Sequence, residues 1–149
     1  MNSEFTVATH CLLLLACDSS NQHTSSQIAE RLSVHPVRIR KILSLLKKHG
    51  YIESREGIKG GFHLLKNPSS VTLDEIYQLT QKNILKPRYH EYKKNCPVGQ
   101  NFETVVSGIL NESEMQLLAH LKKYTLDEVL NELRKSGTTS LTCNCSHKN

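Results

Sequence analysis

The chain has 149 residues, 38% of them hydrophobic, with a mean hydropathy of −0.41 and a formal charge of +5 at neutral pH. That length holds one good core, or one small domain with an appended helical element. The composition excludes a membrane-spanning helix, because no run approaches the roughly 18 apolar residues that one requires. The five cysteines are an odd number in a chain without the basic leader of an export signal, which excludes a disulfide framework and points to a cytoplasmic protein.

Phe5, Ala8, Leu12, Leu15 and Ala16 recur at helical spacing and predict a buried first helix over residues 5–17. After a polar loop, Thr24-Ser25-Ser26-Gln27 has the pattern of a capping box and opens a short helix with Ile28, Ala29 and Leu32 inward. Ser33-Val34-His35 forms the turn, and Pro36 stands at a first helical position, where its missing N–H costs nothing. The helix that follows carries Ile39, Ile42, Leu43 and Leu46 on one stripe and five basic residues over much of the rest, and it stops at Gly50. Tyr51–Ser54 and Phe62–Leu65 read as two short strands around a turn with three glycines.

Thr72-Leu73-Asp74-Glu75-Ile76 and Thr125-Leu126-Asp127-Glu128-Val129 repeat one local pattern, read as two capping boxes opening amphipathic helices. A polar loop separates them, and Phe102, Val106, Ile109, Leu110, Leu117, Leu118 and Leu121 run along a long helix as the stripe expected to meet a partner subunit. The expected organisation is a winged helix-turn-helix domain over 1–80, a loop over 81–101, dimerisation helices over 102–135 and a disordered tail over 136–149. The fold class is mainly α with a small β-hairpin wing.

Charge is concentrated on the predicted helix-turn-helix. Residues 24–66 hold nine Lys or Arg against three acids, a larger excess than that of the whole chain. Such a concentration is the electrostatic footprint of a surface that meets phosphate. No nucleophile elbow, phosphate-cradling loop or acid–base pair supports an enzyme, and turn chemistry accounts for Gly57, Gly60 and Gly61.

The segments Ile28–Val34 and Ile39–Ile52, the wing Gly57-Ile58-Lys59-Gly60-Gly61-Phe62-His63-Leu64, and Val71–Ile76 resemble the Rrf2 family of bacterial winged-helix transcription regulators. The likeness runs from about residue 5 to 133, and the Lys-Gly-Gly-Phe wing is its most specific part. It implies a homodimer joined through the long helix, binding double-stranded DNA at an inverted-repeat operator and acting as a repressor. By helical geometry and family position His35, Val37, Arg38 and Arg40 read bases, Arg40 against guanine and Val37 against a thymine methyl. Thr24, Ser25 and Ser26 reach phosphate at a helix start, Lys41 adds charge on the basic helix, and Arg55 and Lys59 lie along the backbone or minor groove from the wing. Arg40 stands where several relatives carry an acid, so the operator is expected to differ from theirs.

Cluster-binding relatives place three cysteines in the loop before the long helix, whereas this chain has Cys96 alone, with His90 nearby. No cofactor or metal is therefore expected. Cys96, near Arg88, Lys93 and Lys94, is a candidate redox thiol, the alternative being a loop cysteine without function. Cys11 and Cys17 read as small buried hydrophobes, and Cys143, Cys145 and His147 as a weak metal signal in the tail. The competing function is a winged-helix protein-interaction module with little specific DNA binding. The effector is not legible in the sequence.

Overall fold

The computed structural model describes residues 3–81, Leu85 and 96–136. The expected tail beyond Ser136, with Cys143, Cys145 and His147, and the loop residues Arg88, His90, Lys93 and Lys94 lie outside the described residues. The elements run α1 (Ser3–Cys17), α2 (Ser25–Leu32), α3 (Pro36–Lys48), β1 (Ile52–Arg55), β2 (Gly61–Leu64), a 3-10 turn (Pro68–Ser70), α4 (Leu73–Thr80), α5 (Pro97–Leu121) and α6 (Leu126–Lys135).

Helix α1 is apolar on more than one side, and a helix of that kind belongs in an interior. It meets α2, α3, α4, α6 and β2. Its Val7, Ala8, Cys11, Leu12 and Leu15 share one core with Ile28 and Ala29 of α2 and with Ile39, Ile42, Leu43 and Leu46 of α3. Complete burial of each large aliphatic there contributes about 1.5–3 kcal/mol. Burial pushes the Cys11 thiol up to about 12, so it is a small hydrophobe rather than a nucleophile.

The wing is an antiparallel pair with Ile52 opposite Leu64 and Arg55 opposite Gly61. His23 adds a third, one-residue rung, its N–H and C=O both bonded to Phe62 at 3.2 and 2.8 Å. Gly61 makes this possible, since a Cβ there would stand 2.8 Å from the His23 carbonyl carbon and oxygen. Tyr51, just before β1, is buried and donates from its hydroxyl to Glu75 of α4 at 3.3 Å, while Lys66 lies 3.9 Å above its ring. Burial, then the Glu75 carboxylate, pushes the Tyr51 hydroxyl up to about 12, so it remains a donor.

Of the two Thr-Leu-Asp-Glu segments, the second has the expected capping box and the first does not. Thr125 forms a capping box with Glu128, but Thr72 makes no side-chain cap. Glu75, which would complete a box with Thr72, is engaged by Tyr51, and the Thr72 hydroxyl bonds Asp74 instead. The segments pair with each other. Thr72 and Thr125 form an antiparallel bridge, Leu73 N–H bonds the Tyr124 carbonyl and Leu126 N–H bonds the Val71 carbonyl, each at 2.9 Å.

That bridge sets apart the two helices within residues 102–135. Leu126 and Leu130 of α6 are buried, Leu126 within the α1–α3 core, so α6 packs on the winged-helix unit while α5 packs on α4. The expected loop also ends earlier than 101. Cys96 caps α5, its sulfur accepting from Gly99 N–H at 3.3 Å, and Pro97 supplies a φ already suited to the first turn.

His23 is buried, with Nε2 3.0 Å from Asp18, which also accepts from Asn21. Desolvation outweighs the pull of Asp18 and, with Arg31 opposing charge on the ring, holds His23 below its ordinary 6.5. The unfolded chain therefore binds the proton more tightly, and stability present above about pH 6.5 is lost as pH falls towards the folded value. Urea unfolding should show a midpoint that drops between about pH 7 and pH 5, and His23→Gln should remove most of that slope. An unchanged slope in the variant would place the titrating group elsewhere.

Candidate nucleic-acid interface

Three elements present the basic surface: the start of α2, the length of α3 and the wing. Thr24 caps α2, its hydroxyl oxygen accepting from Gln27 N–H at 3.2 Å while its own N–H donates to the Gln27 amide oxygen at 2.9 Å. Thr24 and Ser26 are exposed and Ser25 half-buried, around the start of the helix. Helix α2 ends on Ser33, the one non-glycine residue with positive φ (52°) among the described residues. Val34 N–H reaches back to the Ala29 carbonyl at 3.0 Å, closing a Schellman-type turn.

His35 caps α3. Its Nδ1 accepts from Val37 N–H at 3.3 Å, which leaves Nε2 to carry the proton of the neutral ring. With Ile39, Ile42, Leu43 and Leu46 buried, the rotation of α3 is fixed. At about 100° per residue, Val37, Lys41, Ser44 and Lys48 then share the outward face, and all four are exposed. Arg38 and Arg40 leave opposite flanks. Arg40 is exposed and its Nε donates to the Pro36 carbonyl at 3.4 Å, whereas Arg38 is half-buried. The four expected base-reading residues are thus not equivalent: Val37 and Arg40 are the more available.

Two lysines of α3 have partners that sequence reasoning did not assign. Lys47 donates to the Ser54 hydroxyl at 2.6 Å and braces β1. Lys41 lies 3.4 Å from Glu4 of α1. Ser44 was missed as an outward residue although it continues the Val37–Lys41 period, and Lys48 falls on the same face. In the wing, Arg55 and Lys59 are exposed at the end of β1 and in the turn, and Ile58 between Gly57 and Lys59 is fully exposed. Glu53 and His63, on paired rungs, stand 3.3 Å apart.

The long apolar stripe of α5 divides into two faces. Val106, Leu110, Leu118 and Leu121 are half-buried along the side that carries Glu114 towards Tyr77 of α4. Burial first, and then the Glu114 carboxylate, raises the Tyr77 hydroxyl. Phe102 and Ile109 are exposed and align with Val98 and Val105, which the sequence reading omitted, while Leu117 is exposed at the margin. Val105 and Ile109 keep 58% and 59% of their surface open.

Cys96 is half-buried and its sulfur is occupied as the α5 cap. Among the described residues, no three His, Cys, Asp or Glu side chains gather as a metal site would require. No described helix is long and apolar enough to cross a membrane.

The profile of the Rrf2 family, described as iron-dependent transcriptional regulators, matches residues 1–132. YwnA of Bacillus subtilis, whose name describes a helix-turn-helix transcriptional regulator, is 33% identical over 135 residues, covering 89% of this chain and 98% of that protein. A crystal structure of a transcriptional regulator from Lactobacillus plantarum superposes with a TM-score of 0.81 at 26% identity, over 93% of this chain and 95% of that one. IscR of T. potens superposes with a TM-score of 0.72 over 94% and 92% of the two chains, and at 15% identity it shares the fold.

Proposed function

The chain belongs to the Rrf2 family of transcriptional regulators, and on that premise we propose that it is a cytoplasmic homodimer that binds an inverted-repeat DNA operator and represses transcription. The observation that carries this reading is the outward face of α3, where Val37, Lys41, Ser44 and Lys48 are exposed with Arg40 on the flank towards Pro36. A helix in the major groove reads bases from its N-terminal half, while later basic residues, a neighbouring helix start and a wing take phosphate. Arg40 offers a guanidinium for bidentate contact with guanine and Val37 a methyl contact with thymine, while Thr24, Ser25, Ser26, Lys41, Arg55 and Lys59 hold the backbone.

One such module reads too few bases for useful specificity, and a two-fold pair doubles the contacts. The exposed row Val98, Phe102, Val105 and Ile109, with Leu117 at its edge, is the surface we assign to the partner subunit. Val106, Leu110, Leu118 and Leu121 support α5 from inside its own chain.

We further propose that the protein works without an iron–sulfur cluster. Cys96 is the single cysteine between Cys17 and Cys143, and one sulfur already serving as a helix cap does not make a cluster site. Iron and sulfide assays on protein purified without oxygen should find neither at a stoichiometric level; finding both would overturn this part of the proposal.

With an operator selected from genomic fragments, Arg40→Ala should weaken operator binding about 5- to 150-fold, the equivalent of about 1–3 kcal/mol. Binding to random DNA and the melting temperature should stay near wild type. An equal loss on random DNA would reduce Arg40 to a phosphate contact, and failure to enrich any fragment would favour a protein-interaction module. Ile109→Asp should give a monomer by light scattering at unchanged helicity; a persisting dimer would take this face of α5 out of the interface.

A further inference from the structure

The first turn of α1 lies against the C-terminal half of α3, and Glu4, Lys41, Ile42, Ser44, Leu45 and Lys48 line an open groove of about 270 Å³ between them. Glu4 Oε1 is 3.4 Å from Lys41 Nζ, with the lysine 77% exposed and the carboxylate 29%. Ion pairs this exposed contribute little to folding. Their position matters more here, because Lys41 stands at the centre of the face assigned to DNA.

We propose that Glu4 acts as a brake on the attraction of α3 for phosphate, a role that rests on the reading of α3 as the DNA-contacting helix. The carboxylate takes up part of the ammonium's hydrogen-bonding capacity. It also offsets part of the ammonium's charge as a phosphate would meet it. Both effects act through Lys41 and lower binding to every sequence alike. Discrimination therefore rests more on base contacts such as those of Arg40 and Val37, since sequence-independent affinity is the background against which an operator must stand out. Glu4 is a positioning residue, acting through Lys41. Lys48 on the same face has no acid within ion-pair distance among the described residues, so it serves as the unbraked comparison.

The test measures binding of the full chain to a random-sequence duplex of about 20 base pairs, by fluorescence anisotropy from about 0.05 to 0.3 M salt. Glu4→Gln is expected to bind about three- to tenfold more tightly at the lowest salt, with a log–log salt slope steeper by about one phosphate contact. Lys41→Met and Lys48→Met should each lose affinity, Lys41→Met the less of the two, and Glu4→Gln combined with Lys41→Met should show the affinity of Lys41→Met. Glu4→Ala repeats the test with a different side chain, and melting temperatures confirm equal folding. Wild-type affinity in Glu4→Gln, or a gain that survives loss of Lys41, overturns the proposal while leaving the DNA-binding reading intact. A wild-type chain without salt-dependent duplex affinity overturns both.

Discussion

Burial of the apolar stripe of α3 against α1 is the constraint from which the rest of the structure follows. Ile39, Leu43 and Leu46 have no exposed surface, and Leu12 and Leu15 of α1 belong to the same core. Truncating one such side chain to alanine costs about 2–5 kcal/mol, a large part of the 5–15 kcal/mol that holds a typical domain folded. A helix with one stripe so firmly inward has no freedom to rotate. The core that keeps α3 in place thus also decides that Val37, Lys41, Ser44 and Lys48 face out.

The wing is positioned by the backbone rather than by a large core of its own. Two short strands are marginal alone. Here β2 is extended by the His23 rung, and that residue immediately precedes the Thr24 cap, so the wing and the start of α2 are joined through one peptide unit. Tyr51 ties the other end to α4, and Lys47 bonds Ser54 across to α3. The proposed phosphate-contacting groups at the α2 start, on α3 and in the wing are therefore held in one frame.

The helix-turn-helix and hairpin were legible in the sequence because their signals are local. Thr24 and Gln27 form the expected box, Pro36 starts α3, and Gly50 ends it with φ of 72° and a Tyr51 N–H bond back to Leu46. What was not legible depends on residues distant in the chain. Nothing near Thr72 announces that Tyr51 will take Glu75, and nothing near Lys41 announces Glu4, 37 positions earlier. The division of the α5 stripe into two faces was not legible for a related reason. Apolar residues at helical spacing reveal that faces exist, but Leu110 and Ile109 part company only once α4 is known to cover one of them.

The same long-range pairing changes how the two ends of the molecule are related. Helix α5 is tied to the winged-helix unit along α4, and at its far end by the Val71–Leu73 bonds to Tyr124–Leu126 and by burial of Leu126 beside α1. A helix fastened at both places cannot swing against α3 without breaking backbone hydrogen bonds or opening the core. In the proposed dimer, the crossing of the two α5 helices would then set the distance between the two α3 helices directly. Any signal that altered that crossing would be carried towards α3 through packed side chains and the Thr72–Thr125 bridge.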